Sequence, residues 1–306
     1  MLWLDNPSYA RVRDDLIHRM KSSQYRFRRH GLSIFLCGGF ASTRRDRLRD
    51  YLQKHVSNLL GVFYAERVWE HLVAHASSKS ALEMEAELAR LADIVIVIVE
   101  SAGTFAELGA FSLSPELRTK MLPIVDKKYK DEASFISTGP LRWIDQESLF
   151  RPTIYVNHDT VLDCVEDVES RLSRIPKAKS TKVKNLVENR RHLLFFLCDL
   201  VAVTYPVTLS MLEFYVDRII PNPDGHSLDI ATLVGLAESM DLLRSRRVEI
   251  GGSTSIFYAP ASSHSLDVPY HHHMLLDLPE LRAQHISVLL TIDDAMHAQA
   301  AFELKG

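Results

Sequence analysis

Ile94 to Val99 is an unbroken run of β-branched residues, which suits a strand covered on both faces in a parallel sheet better than a half-wet antiparallel one. Shorter apolar runs at Ser33 to Leu36, Val62 to Tyr64, Met121 to Val125 and Arg151 to Val156 predict further strands around it. Between these runs the apolar positions change to helical spacing. Val12, Leu16 and Ile17 mark one side of a helix over Pro7 to His30, which ends on Arg26, Arg28, Arg29 and His30. Leu48, Leu52, Val56 and Leu59 predict a second over Arg44 to Leu60. Ser80 to Leu91 reads as an acidic amphipathic helix, another helix opens near Thr104, and a last one runs on from about Thr160. Strands alternating with helices predict an α/β fold: a Rossmann-like parallel sheet flanked by helices.

The pattern changes in the second half. Leu193 to Val203 predicts a buried helix that seeds a second core, followed by helices over Thr208 to Ile219 and Leu228 to Leu243 with a turn at Pro221 to Gly225 between them. Val248 to Ile250 and Ser255 to Tyr258 then read as two short strands about Gly251-Gly252. Helix, helix and hairpin in that order resemble a winged helix. Its candidate recognition helix, DIATLVGLAESMD, has few basic or amide side chains, which favours docking onto a partner protein over reading a DNA sequence. Helices near Leu278 to Val288 and Asp293 to Leu304 close the chain. The division predicted is a first domain over 1–170, a basic linker over 171–191 and a mostly helical, winged-helix-like domain over 192–306.

With 306 residues and 46% hydrophobic content, the chain can bury two cores. No apolar run reaches the roughly 18 residues that span a bilayer, and the first residues lack the pattern of a signal peptide, so a cytoplasmic protein without membrane association is expected. Cys37, Cys164 and Cys198 lie in separate apolar segments without CxxC spacing, which argues against a disulfide framework or a zinc site. Adjacent His271, His272 and His273 lack the register that places two ligands on one metal; no metal is expected. The net charge of -3 makes no global case for nucleic acid. Locally, Arg174, Lys177, Lys179, Lys182, Lys184, Arg190 and Arg191 are either a solvated linker or a set of phosphate contacts.

The candidate chemistry sits at the carboxyl ends of the predicted strands, where open α/β sheets bind ligands. After Val99 the pattern breaks at Glu100, Ser101 and Gly103, and Thr104 with Glu107 has the spacing of a capping box. Glu107 therefore either caps its own helix or stands as a carboxylate in the mouth of the sheet. Cys37-Gly38-Gly39 after the first strand lets backbone approach a ligand, or makes an ordinary turn. Tyr64, Glu66 and Trp69 after the second strand could stack on a base and orient a ribose, or merely cover the sheet edge. Glu83 or Glu87 could face the pocket. Asp126 is the best second carboxylate, able to bind the sugar or manage a proton if its environment differs from that of Glu107.

The stretch ESxGTxxELGxF resembles the signature of the nucleoside 2-deoxyribosyltransferase-like superfamily and, more narrowly, effector proteins encoded with bacterial retrons, which join such a domain to a winged-helix-like one. SIFLCGGF at Ser33 to Phe40, VFYAERVW at Val62 to Trp69, LPIVDKKYK at Leu122 to Lys130 and SFISTGPLRWI at Ser134 to Ile144 follow the expected order. The resemblance covers the first half well and the second half in layout. It implies that Glu107 attacks or stabilises the anomeric carbon of a ribosyl group, with Asp126 beside it and Cys37, Gly38, Gly39, Tyr64, Glu66, Glu100, Ser101, Gly103 and Thr104 lining the pocket. The segment Phe135 to Pro140 is then a loop folded over the site or onto a neighbouring subunit. NAD, or a related nucleotide or nucleoside, is the implied substrate, cleaved without a further cofactor. The implied biology is a toxin of an anti-phage retron, held in check by the retron reverse transcriptase and its branched RNA–DNA product, msDNA, in an oligomeric assembly. The alternative is a nucleotide sensor or DNA-binding regulator without catalysis.

Overall fold

The computed structural model describes residues 2–21, 26–27, 31–57, 59–64, 80–176, 181–220, 228–261 and 277–303. Contacts divide the chain into two units, Gly31–Lys177 on one side and Met1–His30 with Ala178–Gly306 on the other. The opening helix α1 (Pro7–Lys21) thus belongs with the C-terminal residues, not with the first domain where the sequence reading put it.

The first of these units is built on β1 (Leu32–Cys37), β2 (Leu59–Phe63), β3 (Ile94–Val99), β4 (Met121–Asp126) and β5 (Ile154–Val156). All pair in parallel, in the order β2-β1-β3-β4-β5. The expected α/β architecture, a parallel sheet flanked by helices, is what the chain forms. Central β3 is the strand predicted, residue for residue, and every one of its side chains is at most 2% exposed. Each such Val or Ile is worth about 1.5–3 kcal/mol of burial, so this strand anchors the sheet. Alternation along the strands sends side chains to two cores. Ile34, Leu36, Ile94, Ile96 and Ile98 pack with Leu48 and Leu52 of α2 (Thr43–His55). On the opposite face Phe35 stacks on Phe63 and meets Phe111. That face carries α3 (Ala81–Leu91) and α4 (Ala102–Leu113).

Several boundaries differ from the sequence reading. The second helix stops at His55, because Val56 turns to an extended conformation (φ -81°, ψ 114°), and Leu59 opens β2 instead of extending the helix. Phe135 to Pro140 is not a loose loop. Ser137–Leu141 forms a π-helical turn that leads into α5 (Arg142–Glu147). After β5 a 3-10 helix, His158–Cys164, runs into α6 (Val165–Leu172).

The other unit holds α7 (Arg190–Thr204), β6 (Val207–Thr208), α8 (Leu209–Ile219), α9 (Ile230–Ser239), β7 (Leu243–Ile250), β8 (Ser253–Pro260), α10 (Leu278–Leu289) and α11 (Asp293–Glu303). Its three strands form an antiparallel sheet in the order β6-β8-β7. The hairpin is longer than predicted and turns on Gly251 and Gly252, whose φ angles of 58° and 79° suit a two-residue turn that a side chain would strain. The α1 helix ends at Lys21, and Arg26–Phe27 pairs as a short antiparallel strand with Thr181–Lys182. Residues 181–191 are thus folded and not a free linker. Arg28, Arg29, His30, the turn at Pro221 to Gly225 and His271 to His273 lie outside the described residues. Among the described residues, no helix is long and apolar enough to cross a membrane, and no group of His, Cys, Asp or Glu is placed to hold a metal.

Candidate active site

The strand order reverses between β1 and β3, so the loops leaving these two strands diverge and open a crevice at their carboxyl ends. Glu100 ties the two loops together. Its side chain is only 6% exposed; Oε1 accepts the Gly39 N–H at 2.9 Å and Oε2 accepts from Arg44 at 2.9 Å. Burial alone would raise its pKa, but hydrogen bonds from Ser42, the Gly39 N–H and Arg44 outweigh burial and hold the carboxyl below its usual range. Glu100 is thus a buried clasp whose oxygens are both engaged within the protein.

The start of α4 differs from the predicted capping box in a way that matters for Glu107. Ser101, not Thr104, is the N-cap: its hydroxyl accepts from the Thr104 N–H at 3.3 Å. The Thr104 hydroxyl in turn accepts from the N–H groups of Glu100 and Ser101, each at 3.0 Å. The box is complete without Glu107, which falls in the second turn of the helix. The capping explanation of Glu107 is therefore removed.

Glu107 instead lines a cleft of about 420 Å³ with Cys37, Gly38, Ser101, Ala102 and Gly103. Its Oε2 is buried, while the residue as a whole is partly exposed. The Cys37 thiol, 4% exposed, hydrogen-bonds the Glu107 carboxylate. Burial first, then the negative charges of Glu107 and Glu85, push this thiol well above its ordinary pKa, so Cys37 stays protonated and donates. The first turn of α4 adds the positive end of the helix dipole and N–H groups that have no partner inside a helix.

The remaining expected site residues are distributed elsewhere. Thr104 is fully buried and spent on the helix start. Tyr64 is 7% exposed and lies under the Arg45 guanidinium, 4.3 Å from the ring centroid, with Arg49 at 5.5 Å; it covers the sheet instead of offering a stacking face in the cleft. Of the two glycines, only Gly38 is held to glycine by a protein contact. A Cβ on Gly38 would meet the Arg45 side chain at 2.8 Å, and one on Gly39 would come within 3.4 Å of Glu100. Asp126 does not line the cleft; it accepts the Lys128 N–H at 3.1 Å and faces the Lys128 ammonium at 3.4 Å. Phe135, Thr138, Gly139 and Pro140 border a different groove, against Gly109, Ser112 and Leu113 of α4. Glu66 and Trp69 lie outside the described residues.

Two groups in the cleft escaped the sequence reading. Arg45, in the first turn of α2, is 7% exposed and lines the wall beside Gly38. On α3 the cleft-facing acid is Glu85, not Glu83 or Glu87. Glu83 closes a capping box with Ser80, and Glu87 pairs with Arg90 at 3.5 Å. Helical phase carried the signal: Glu85 is three and four residues before Leu88 and Ala89, both fully buried, and shares their face.

The basic set is also divided. Arg174 donates to the carbonyls of Leu149 and Arg151, which staples the end of the first unit. Lys182 is exposed on its short strand, and Arg190 and Arg191 open α7. Lys177, Lys179 and the Lys184 side chain lie outside the described residues.

Residues 41–245 match the model of the STM3845 retron effector protein family. Two Escherichia coli proteins are similar over shorter stretches. One, named "Retron Ec86 putative ribosyltransferase/DNA-binding protein", is 38% identical over 128 residues, 41% of each chain. The other, named "Retron Ec73 putative ribosyltransferase/DNA-binding protein", is 35% identical over 143 residues, 44% of each chain. The aligned stretches thus span about two fifths of the length of these relatives. The family match, in contrast, covers more than half of this chain and runs from the loop after β1 through the start of β7; the chain belongs to the STM3845 retron effector family.

Proposed function

We propose that this retron effector is an N-glycosidase whose Gly31–Lys177 unit is nucleoside 2-deoxyribosyltransferase-like and cleaves the bond between ribose and base in NAD or a related nucleotide. The observation that carries the reading is Glu107: a carboxylate with no capping duty, lining a 420 Å³ cleft at the switch point of a parallel sheet. In this reading Glu107 attacks C1′, and the C1′–N bond breaks with its electron pair going to the base. For nicotinamide that pair neutralises the ring cation, so the base leaves without a proton donor. Water then attacks C1′, releases Glu107 and gives an ADP-ribosyl product. The thiol of Cys37 steadies the carboxylate, and the first turn of α4 suits a pyrophosphate. The relatives' names, which include ribosyltransferase, agree with chemistry at a ribosyl carbon.

The second unit supports a regulatory role. Its order α7-β6-α8-α9-β7-β8, with a β6-β8-β7 sheet, fits a winged helix. Most of α9 is buried, including Ile230, Leu233, Val234, Leu236 and Ala237. Its more accessible positions Ala231, Thr232 and Gly235 offer no cation or amide for reading base edges. We therefore favour docking onto the retron reverse transcriptase and its msDNA backbone over sequence-specific DNA reading, with toxicity restrained by assembly. Expression of the wild-type chain without its retron should deplete cellular NAD and arrest growth, and Glu107→Gln should do neither. Growth arrest with NAD and related nucleotides all intact, or arrest by both chains alike, overturns the proposal.

A further inference from the structure

Glu85 and Glu107 reach one cleft from two different helices, α3 and α4. Cys37 lies near both, hydrogen-bonded to Glu107 and within the field of Glu85. Arg45 lines the same wall, and its cation acts on the Cys37 thiol in the sense opposite to the two carboxylates. Two other acids near the sheet mouth, Glu100, which bridges Gly39 and Arg44, and Asp126, which holds Lys128, do not line this cleft.

We propose that Glu85 is the second carboxylate of this site, taking the proton from the water that attacks the ribosyl carbon after the base has left. The inference rests on the reading of Glu107 given above. In the step assigned to Glu85, the bond from C1′ to water oxygen forms while the bond from C1′ to Glu107 breaks and returns its electron pair to that carboxylate. The water proton passes to Glu85 and then to solvent. Departure of nicotinamide needs no such base, so the two carboxylates separate by step: Glu107 serves both, Glu85 only the second.

Rapid-quench measurement of nicotinamide release from NAD by the purified full chain tests this. Glu85→Gln should release one equivalent of nicotinamide per chain at near the wild-type rate and then turn over about a hundredfold or more slowly. Azide, a nucleophile that needs no base, should restore turnover and give a ribosyl azide. Glu87→Gln, on the same helix but outside the cleft, should turn over within about twofold of wild type. Glu85→Ala gives the same burst and azide readouts if the Gln variant fails to fold. Wild-type turnover by the Glu85 variants, or loss of the burst together with failure of azide rescue, overturns the assignment while leaving Glu107 in place. Nicotinamide release that survives Glu107→Gln, or no release by the wild type, overturns the Glu107 reading and this inference with it.

Discussion

Both oxygens of Glu100 are held, by the Gly39 N–H and by Arg44, whereas Glu107 lines the cleft beside the protonated Cys37 thiol. Glu100→Ala should cost about 1–3 kcal/mol, because it strands a buried N–H and an arginine that remains only partly solvated. Thermal unfolding reads that loss. The pH dependence has a definite sign. The Glu100 carboxyl is held below its ordinary value of 4.5, so the unfolded chain binds a proton there before the folded chain does. Its contribution is complete above that value and is lost as pH falls toward the lower folded one. Glu100→Gln should therefore flatten the stability curve below about pH 4.5 and leave its shape above pH 6 unchanged. This residue was legible in the sequence as part of the site but not as a clasp, since nothing in the local pattern shows that Gly39 and Arg44 return to it across β1 and β3.

The central strand was fully legible because six consecutive β-branched residues favour an extended chain over a helix, and each is buried. The start of α4 was misread by one turn. Ser101 and Thr104 have the same three-residue spacing as Thr104 and Glu107, and both side chains at Ser101 and Thr104 are hydroxyls able to accept from the backbone; the choice depends on where β3 releases the chain. Ser101→Ala should cost about 1 kcal/mol through loss of the cap and, by letting the first turn fray, should weaken ligand binding in the cleft more than it lowers turnover. A KM increase with little change in kcat is the expected readout, and unfolding by denaturant checks the stability term. On α3 the acidic pattern offers Glu83 or Glu87 to the pocket as readily as Glu85, and only the phase against Leu88 and Ala89 separates Glu85 from them.

The grouping of α1 with the C-terminal residues was not legible at all, because an amphipathic helix does not state which core it joins. Buried Tyr9 explains the choice. Its hydroxyl lies 3.0 Å from that of Tyr215 and 3.3 Å from Nδ1 of His285. Burial, with the nearby Arg282 cation next, pushes His285 down to about 3, so the ring is neutral in the folded chain. The unfolded chain takes up a proton near 6.5 that the folded one refuses, and stability from this site declines as pH falls from 6.5 toward 3. His285→Asn should lessen that decline, and Tyr9→Phe should cost about 1–3 kcal/mol by leaving polar groups of the trio unsatisfied. For the molecule as a whole, the central claim concerns Glu107, and its most direct test is release of nicotinamide from NAD by purified wild-type and Glu107→Gln chains of matched melting temperature. The account predicts steady release by the wild type and a loss of about a hundredfold or more in the variant; equal release by the two chains, or none by either, would contradict it.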